Sequence, residues 1–200
     1  MPPAAARPSP VTALRHGRYV VKARGGMARA FLHDARQGSG VMAEATAATD
    51  AAAIAAVTAA LDSRDAERLA ARRMHPAIAL PIPTAAEYAE ALAVVAPTAA
   101  QTAMLRAHAA AGTAGLTATE LADAAGFRGY SAANLQYGLL GRAVAEHLSL
   151  TLPPLPARGG QHAATWALAE PGPDMTPETP EARFRWVIHP ELAAAVASLP

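Results

Sequence analysis

The chain changes its hydrophobic rhythm several times, and each change marks an element. In "YVVKARGGMARAFLH", residues 19–33, apolar and polar positions alternate with a period of two on both sides of Gly25-Gly26. That is the mark of two half-buried strands joined by a two-residue turn. Paired glycines suit the primed turns of such hairpins, whose central residues take positive φ. The turn then sets the register. Arg24 opposes Met27, Lys22 opposes Arg29, Val20 opposes Phe31 and Arg18 opposes His33; on the other face Ala23 meets Ala28, Val21 meets Ala30 and Tyr19 meets Leu32. The second face is the predicted core face. The first gathers Arg18, Lys22, Arg24, Arg29 and His33 around Val20 and Phe31. Lys22 directly opposite Arg29 weakens a hairpin, so either both side chains splay into water or the face is built to meet an anion.

After Gly38-Ser39-Gly40, "GVMAEATAAT" reads as a third strand. The period then moves to that of a helix in "DAAAIAAVTAALDSRDAERLAARR", capped by Thr49 or Asp50, with Ile54, Val57 and Leu61 as its buried stripe. Its charged second half, Asp62 to Arg73, is expected to face solvent. Residues 16–73 thus form a strand–strand–strand–helix unit. The Pro- and Ala-rich residues 1–15 precede it as a basic arm expected to be disordered. "HPAIALPIPT", with Pro76, Pro81 and Pro83, reads as a linker over 74–83. Thr84 and Thr98 cap the next two helices, "AAEYAEALAVV" and "AAQTAMLRAHAAA".

The most informative stretch is "LTATELADAAGFRGYSAANLQYGLLGRAVAEHL". Thr117 and Glu120 form a capping box, and Gly126 stops the short helix they open. Ser131 is expected to cap a long helix over 131–148. Ala133, Tyr137, Leu140, Val144 and Leu148 form its buried stripe, widened by Leu135 and Leu139. The opposite strip, with Asn134, Gly138, Gly141 and Ala145 and with Arg142 beside it, is nearly bare. An interior glycine costs a helix about 0.5–1 kcal/mol relative to alanine. Two of them imply close approach of a DNA backbone, a neighbouring helix, or the wing of the same domain. Short helix, glycine-bearing turn and long helix make the helix-turn-helix order.

A recognition helix meets base edges near its N-terminus, which here places Arg128, Tyr130, Ser131 and Asn134 at the bases and Gln136 on a flank. Arginine suits guanine, and asparagine or glutamine suits adenine. The plainer alternative is a helix packed on both faces, with Asn134 and Gln136 bonding neighbouring backbone. Downstream, "ATWALAE" and "RFRWVIH" read as the two strands of a wing. Asp174, Glu178 and Glu181 keep its tip from DNA, which leaves Arg183 and Arg185 as the phosphate contacts. Pro190 opens a last helix. The fold class expected is α+β: a small three-stranded antiparallel sheet with one helix, then a mostly helical winged-helix-like domain over 84–200.

Charge sharpens this picture. Residues 1–36 hold seven cations against Asp34 alone, a net +6, so with +1 overall the remainder carries −5. Hydrophobic content of 52% with 16% charged residues is globular composition. The absence of cysteine removes disulfides and thiolate chemistry. No apolar run is long enough to span a bilayer, so no membrane partner is expected and the cytoplasm is the default. The seven histidines stand apart in sequence, and no phosphate-cradling loop or nucleophile elbow is present. No metal, cofactor or catalytic residue is therefore expected.

Two resemblances add to these expectations. "LTATELADAAGF", "YSAANLQYGLLGRAVAEHL", "TWALAE" and "FRWVIHPELAAAV" together resemble a region beside HNH nuclease domains in bacterial restriction-type proteins, over residues 83–199. This implies a DNA-associated accessory module of defence, restriction or DNA processing. The HNH chemistry does not carry over, because no matching metal-binding motif is in the chain. "AEATAATDAAAIAAVTAAL" and the strands before it resemble the N-terminal unit of HicB-type antitoxins, without that family's Pro-Gly loop before the third strand. The expected function is non-catalytic DNA binding, with a nuclease on another chain or a second copy as further partners. The alternatives are an antitoxin-like protein-interaction module and an enzyme with an unfamiliar site.

Overall fold

The computed structural model describes residues 10–33, 40–76, 78–153, 164–176, 179 and 183–199. Residues 1–9 of the expected arm, and Glu178 and Glu181, lie outside them. The protein is α+β, and its chain divides into two compact units, residues 1–70 and 71–200.

The first unit is a four-stranded antiparallel meander, β1 (Thr12–His16), β2 (Tyr19–Arg24), β3 (Met27–Leu32) and β4 (Ala43–Thr46), covered on one face by α1 (Asp50–Ala71). The hairpin register from Tyr19↔Leu32 to Arg24↔Met27 is the one the glycine turn dictates, and both glycines take positive φ. The sheet has four strands, not three. Residues 12–15, expected in the arm, pair with β2 through a second two-residue turn at Gly17-Arg18. Their alternation is short and half-exposed, so it carries little signal against a Pro- and Ala-rich background.

The core face is narrow: Tyr19, Val21, Ala23, Ala28, Ala30 and Leu32 meet Ala53, Val57 and Leu61 of α1. Alanine, not Ile54, supplies the first step of the helix stripe. Because alanine buries little area, polar clamps supplement the packing. The Tyr19 hydroxyl accepts from Arg18 Nε (3.1 Å) and Arg64 Nη2 (2.7 Å) and donates to Asp65 (2.8 Å). Asp62 bonds His16 at 2.6 Å. Thr49 caps α1, and Asp50 accepts from the Gly26 amide at 2.6 Å. The second half of α1, expected to be merely solvated, therefore also ties the helix to the sheet, through Asp62, Arg64 and Asp65.

The second unit begins with β5 (Arg73–Met74) and β6 (Pro81–Ile82), which pair with each other. The expected linker is thus part of this unit, since Leu80 and Ile82 are buried in its core. Helices α2 (Ala85–Val95), α3 (Ala99–Ala111), α4 (Ala118–Ala124), α5 (Tyr130–His147) and α6 (Pro190–Val196) surround that core. Capping boxes at Thr84–Glu87, Thr98–Gln101 and Thr117–Glu120 open α2, α3 and α4. A three-stranded sheet in the order β7-β9-β8 joins β7 (Leu116–Thr117), β9 (Arg185–Ile188) and β8 (Ala169–Pro171). Residues 164–167, expected in a strand, form a 3-10 turn instead. Among the described residues no helix is long and apolar enough to cross a membrane.

Candidate nucleic-acid interface

The short helix α4, its glycine turn and the long α5 are present, but α5 begins at Tyr130 and has Gly129 at its cap position, without a side-chain cap. Ser131 is inside the helix and exposed. The buried stripe is Ala133, Tyr137, Leu140, Val144 and Leu148, as the spacing predicts. Leu135 and Leu139 do not widen it; they are 61% and 47% exposed. Periodicity placed them near the stripe, whereas their angle on the helix puts them beside Arg142, on the outer side.

The two glycines separate. Gly141 is buried against the Ala164–Ala167 turn, where a Cβ would come within 2.8 Å of the Ala164 carbonyl carbon and closer still to its oxygen. The approach that this glycine permits is made by the chain itself. A Cβ on Gly138 would meet nothing within 4 Å among the described residues. Around Gly138 the outer side of α5 presents Ser131, Leu135, Leu139 and Arg142. Arg128 and Tyr130, the latter 40% exposed, stand at its N-terminal end.

Other expected contacts are engaged within the fold. Gln136 accepts from the Gln101 amide through its main-chain oxygen (3.1 Å) and its side-chain oxygen (3.4 Å). Asn134 is half-buried and has interactions of its own. Arg185 braces the fold: it donates to the Gly115 carbonyl at 2.9 Å and to Glu120 at 3.0 Å. Backbone and side-chain bonds from Thr117, with the Arg185 guanidinium beside it, hold the Glu120 carboxyl below the usual range. Arg183 is exposed.

On the first unit's sheet, Arg18 leaves the outer face for the Tyr19–Asp65 cluster. Arg29 pairs with Glu44, its neighbour on β4, which offsets the repulsion with Lys22. Lys22 Nζ lies 5.8 Å from the Phe31 ring centre, and Arg24 is exposed.

The structure also assembles groups that stand far apart in sequence. His189, fully buried, donates to the Trp166 carbonyl through Nε2 (3.0 Å), while its Nδ1 lies 3.9 Å from Glu170. The same Glu170 oxygen lies 2.8 Å from His75 Nε2. Burial lowers the His189 pKa more than the Trp166 carbonyl, Glu170 and Glu191 raise it. His108 is likewise lowered by burial, between the Tyr137 hydroxyl and the Trp186 carbonyl, both at 2.7 Å. Nothing in the sequence signals these clusters, because the side chains that meet and their partners are 19 to 95 positions apart. Among the described residues no group of three or more histidines and carboxylates is placed to hold a metal ion.

Compared with protein-family models, with curated proteins and with solved structures, the chain finds no match in any of the three.

Proposed function

We propose that the second unit is a winged-helix-like module that binds duplex DNA without catalysing a reaction, through the outer side of α5. The observation that carries this reading is the outer side of α5, exposed among the described residues, within its topology. Helix α3, strand β7, helix α4, a glycine turn, α5 and the β8–β9 hairpin follow in that order, with β9 central in the sheet. That is the order in which a second helix is left free for the major groove. Arg128, Ser131 and Arg142 supply polar contacts, and Leu135 and Leu139 suit thymine methyl groups. Gly138 keeps the middle of the helix low enough for a phosphate or base edge to come near. The resemblance to a region beside HNH nucleases supports a place in defence, restriction or DNA processing, with any nuclease on another chain.

A salt titration of duplex binding tests the reading. Each lost phosphate contact reduces the slope of log K against log salt by about 0.9. Arg128→Gln with Arg142→Gln should therefore reduce it by roughly 2. An unchanged affinity and slope would remove α5 from the interface. The exposed Tyr130, Leu135 and Leu139 favour a second reading, a protein partner on the same side of the helix. In that case Leu135→Ser with Leu139→Ser abolishes a protein complex, while duplex binding is absent from the start.

A further inference from the structure

The first unit's sheet has a second face that α1 does not cover. The register places Ala13, Lys22, Arg29 and Glu44 in one row across the four strands, and Arg15, Val20 and Phe31 in the next. Arg24, Met27 and Thr46 follow on the other side of the Lys22 row. Arg15, Lys22, Arg24 and Met27 are exposed, and Val20 and Phe31 are half-buried. Glu44 is the one carboxylate in these rows, and it is taken by Arg29. Three positive charges therefore remain in excess, around an aromatic ring and an aliphatic patch.

We propose that this face binds single-stranded nucleic acid. Phosphates go to Arg15, Lys22 and Arg24, and an unpaired base stacks on Phe31 beside Val20. Charge complementarity selects a polyanion, and the width of the sheet decides which kind. Four strands about 4.8 Å apart span roughly 14 Å before side chains are counted, more than the ~12 Å of a major groove, which admits a two-stranded ribbon. A cationic sheet face with a half-buried ring at its surface instead matches the stacking platform and charged track that unpaired strands use, the mobile Lys22 side chain giving way to the base. An acidic protein would match the cations but leave the ring without a partner. Lys22, whose ammonium lies over Phe31, ties the two functions together: the cation and the stacking ring occupy neighbouring positions on adjacent strands.

The test uses the full chain and an unstructured oligothymidylate, followed by fluorescence anisotropy across a salt series. Lys22→Gln with Arg24→Gln should weaken binding and reduce the salt slope by roughly 1.4, about 0.7 per phosphate contact on a single strand. Phe31→Leu keeps an apolar side chain and removes the ring. It should weaken binding roughly fivefold or more with the slope unchanged. Circular dichroism confirms that each variant keeps its fold. The proposal is overturned if the charge variants bind like the parent chain. It is overturned equally if Phe31→Leu has no effect while heparin and oligothymidylate weaken in parallel, which marks a general polyanion face. Binding of polyglutamate but not oligothymidylate would assign the face to an acidic protein. Arg128→Gln with Arg142→Gln serves as the control for the α5 reading and should leave oligothymidylate binding unchanged.

Discussion

Replacing Gly141 and Gly138 by alanine, one at a time, sets helix propensity against packing on the same helix. Both substitutions add a methyl group to the interior of α5, and both gain up to about 1 kcal/mol of intrinsic helix stability. At Gly138 nothing opposes that gain, since the new carbon meets no described atom within 4 Å. At Gly141 the carbon would lie 2.8 Å from the Ala164 carbonyl carbon, where ordinary contact begins near 3.4 Å. The helix and the Ala164–Ala167 turn would have to part by at least about 0.6 Å. The obstacle is main chain, and that turn is held in place from two sides. Tyr88 donates its hydroxyl to the Ala167 carbonyl at 2.8 Å, and Leu168 is fully buried just beyond. Overfilling a packed contact costs about 1–3 kcal/mol, here near the upper end because no rotamer can relieve it. Subtracting the propensity gain leaves a net loss of about 2 kcal/mol. For a unit of this size a loss of 1 kcal/mol lowers Tm by roughly 4 °C. Thermal melts should therefore show Gly141→Ala falling by about 8 °C and Gly138→Ala rising by up to about 4 °C. A Gly141→Ala melt at or above that of the parent chain would refute the packing argument.

Three further outcomes follow from the polar contacts. Tyr19→Phe removes a hydroxyl that bonds Arg18, Arg64 and Asp65, and should cost the first unit about 1–3 kcal/mol in urea unfolding; a neutral result would make the cluster incidental. Arg72 donates to Glu87 at 2.8 Å and to the Leu148 carbonyl at 3.0 Å, with both side chains buried. Arg72→Met should cost about 3–5 kcal/mol, whereas Arg73→Gln, which breaks the more exposed pair with Glu191, should stay within about 1 kcal/mol; equal effects would contradict the burial argument. His108 and His189 have pKa values lowered by burial from the ordinary 6.5, so the unfolded chain binds more protons than the folded one just below that pH. Stability of the second unit should be complete above pH 6.5 and decline as pH falls from there towards 5, before the lowered carboxyls of Glu87, Glu120 and Glu191 titrate. His189→Gln should flatten that decline in chemical-denaturation midpoints, and a stability that rises on acidification would show the sign to be wrong.

Local chemistry was legible in the sequence, and long-range chemistry was not. Gly25-Gly26 sets a register over six residue pairs because the turn leaves no other alignment. Thr84, Thr98 and Thr117 mark helix starts because a hydroxyl three residues before a glutamate or glutamine satisfies free amides. The errors lie where a distant partner decides the outcome. Residues 12–15 are a strand only because β2 offers an edge. The bonds from Arg185 to Gly115 and Glu120, some 65–70 positions earlier, are likewise invisible to local pattern. Leu135 and Leu139 sit at the margin of a helical stripe, on the side their helical angle shares with Arg142, and neighbouring helices cover the other margin.

The order of strands in the two units has a consequence for how each comes into being. In the first unit neighbouring strands are also consecutive in sequence, and α1 follows directly. Contacts of such short range close quickly, so this unit can fold on the ribosome soon after residue 70 has emerged, with no help from what comes later. The second unit cannot. Its central strand is β9, flanked by β7 and β8, and α6 packs on α2 and α3. Until residues 185–196 are made, α2 and α3 lack the helix that covers them and the sheet lacks its middle. A nascent chain halted before that point would carry a finished first unit and an open second one, with Tyr88, Leu92 and Leu105 exposed to chaperones.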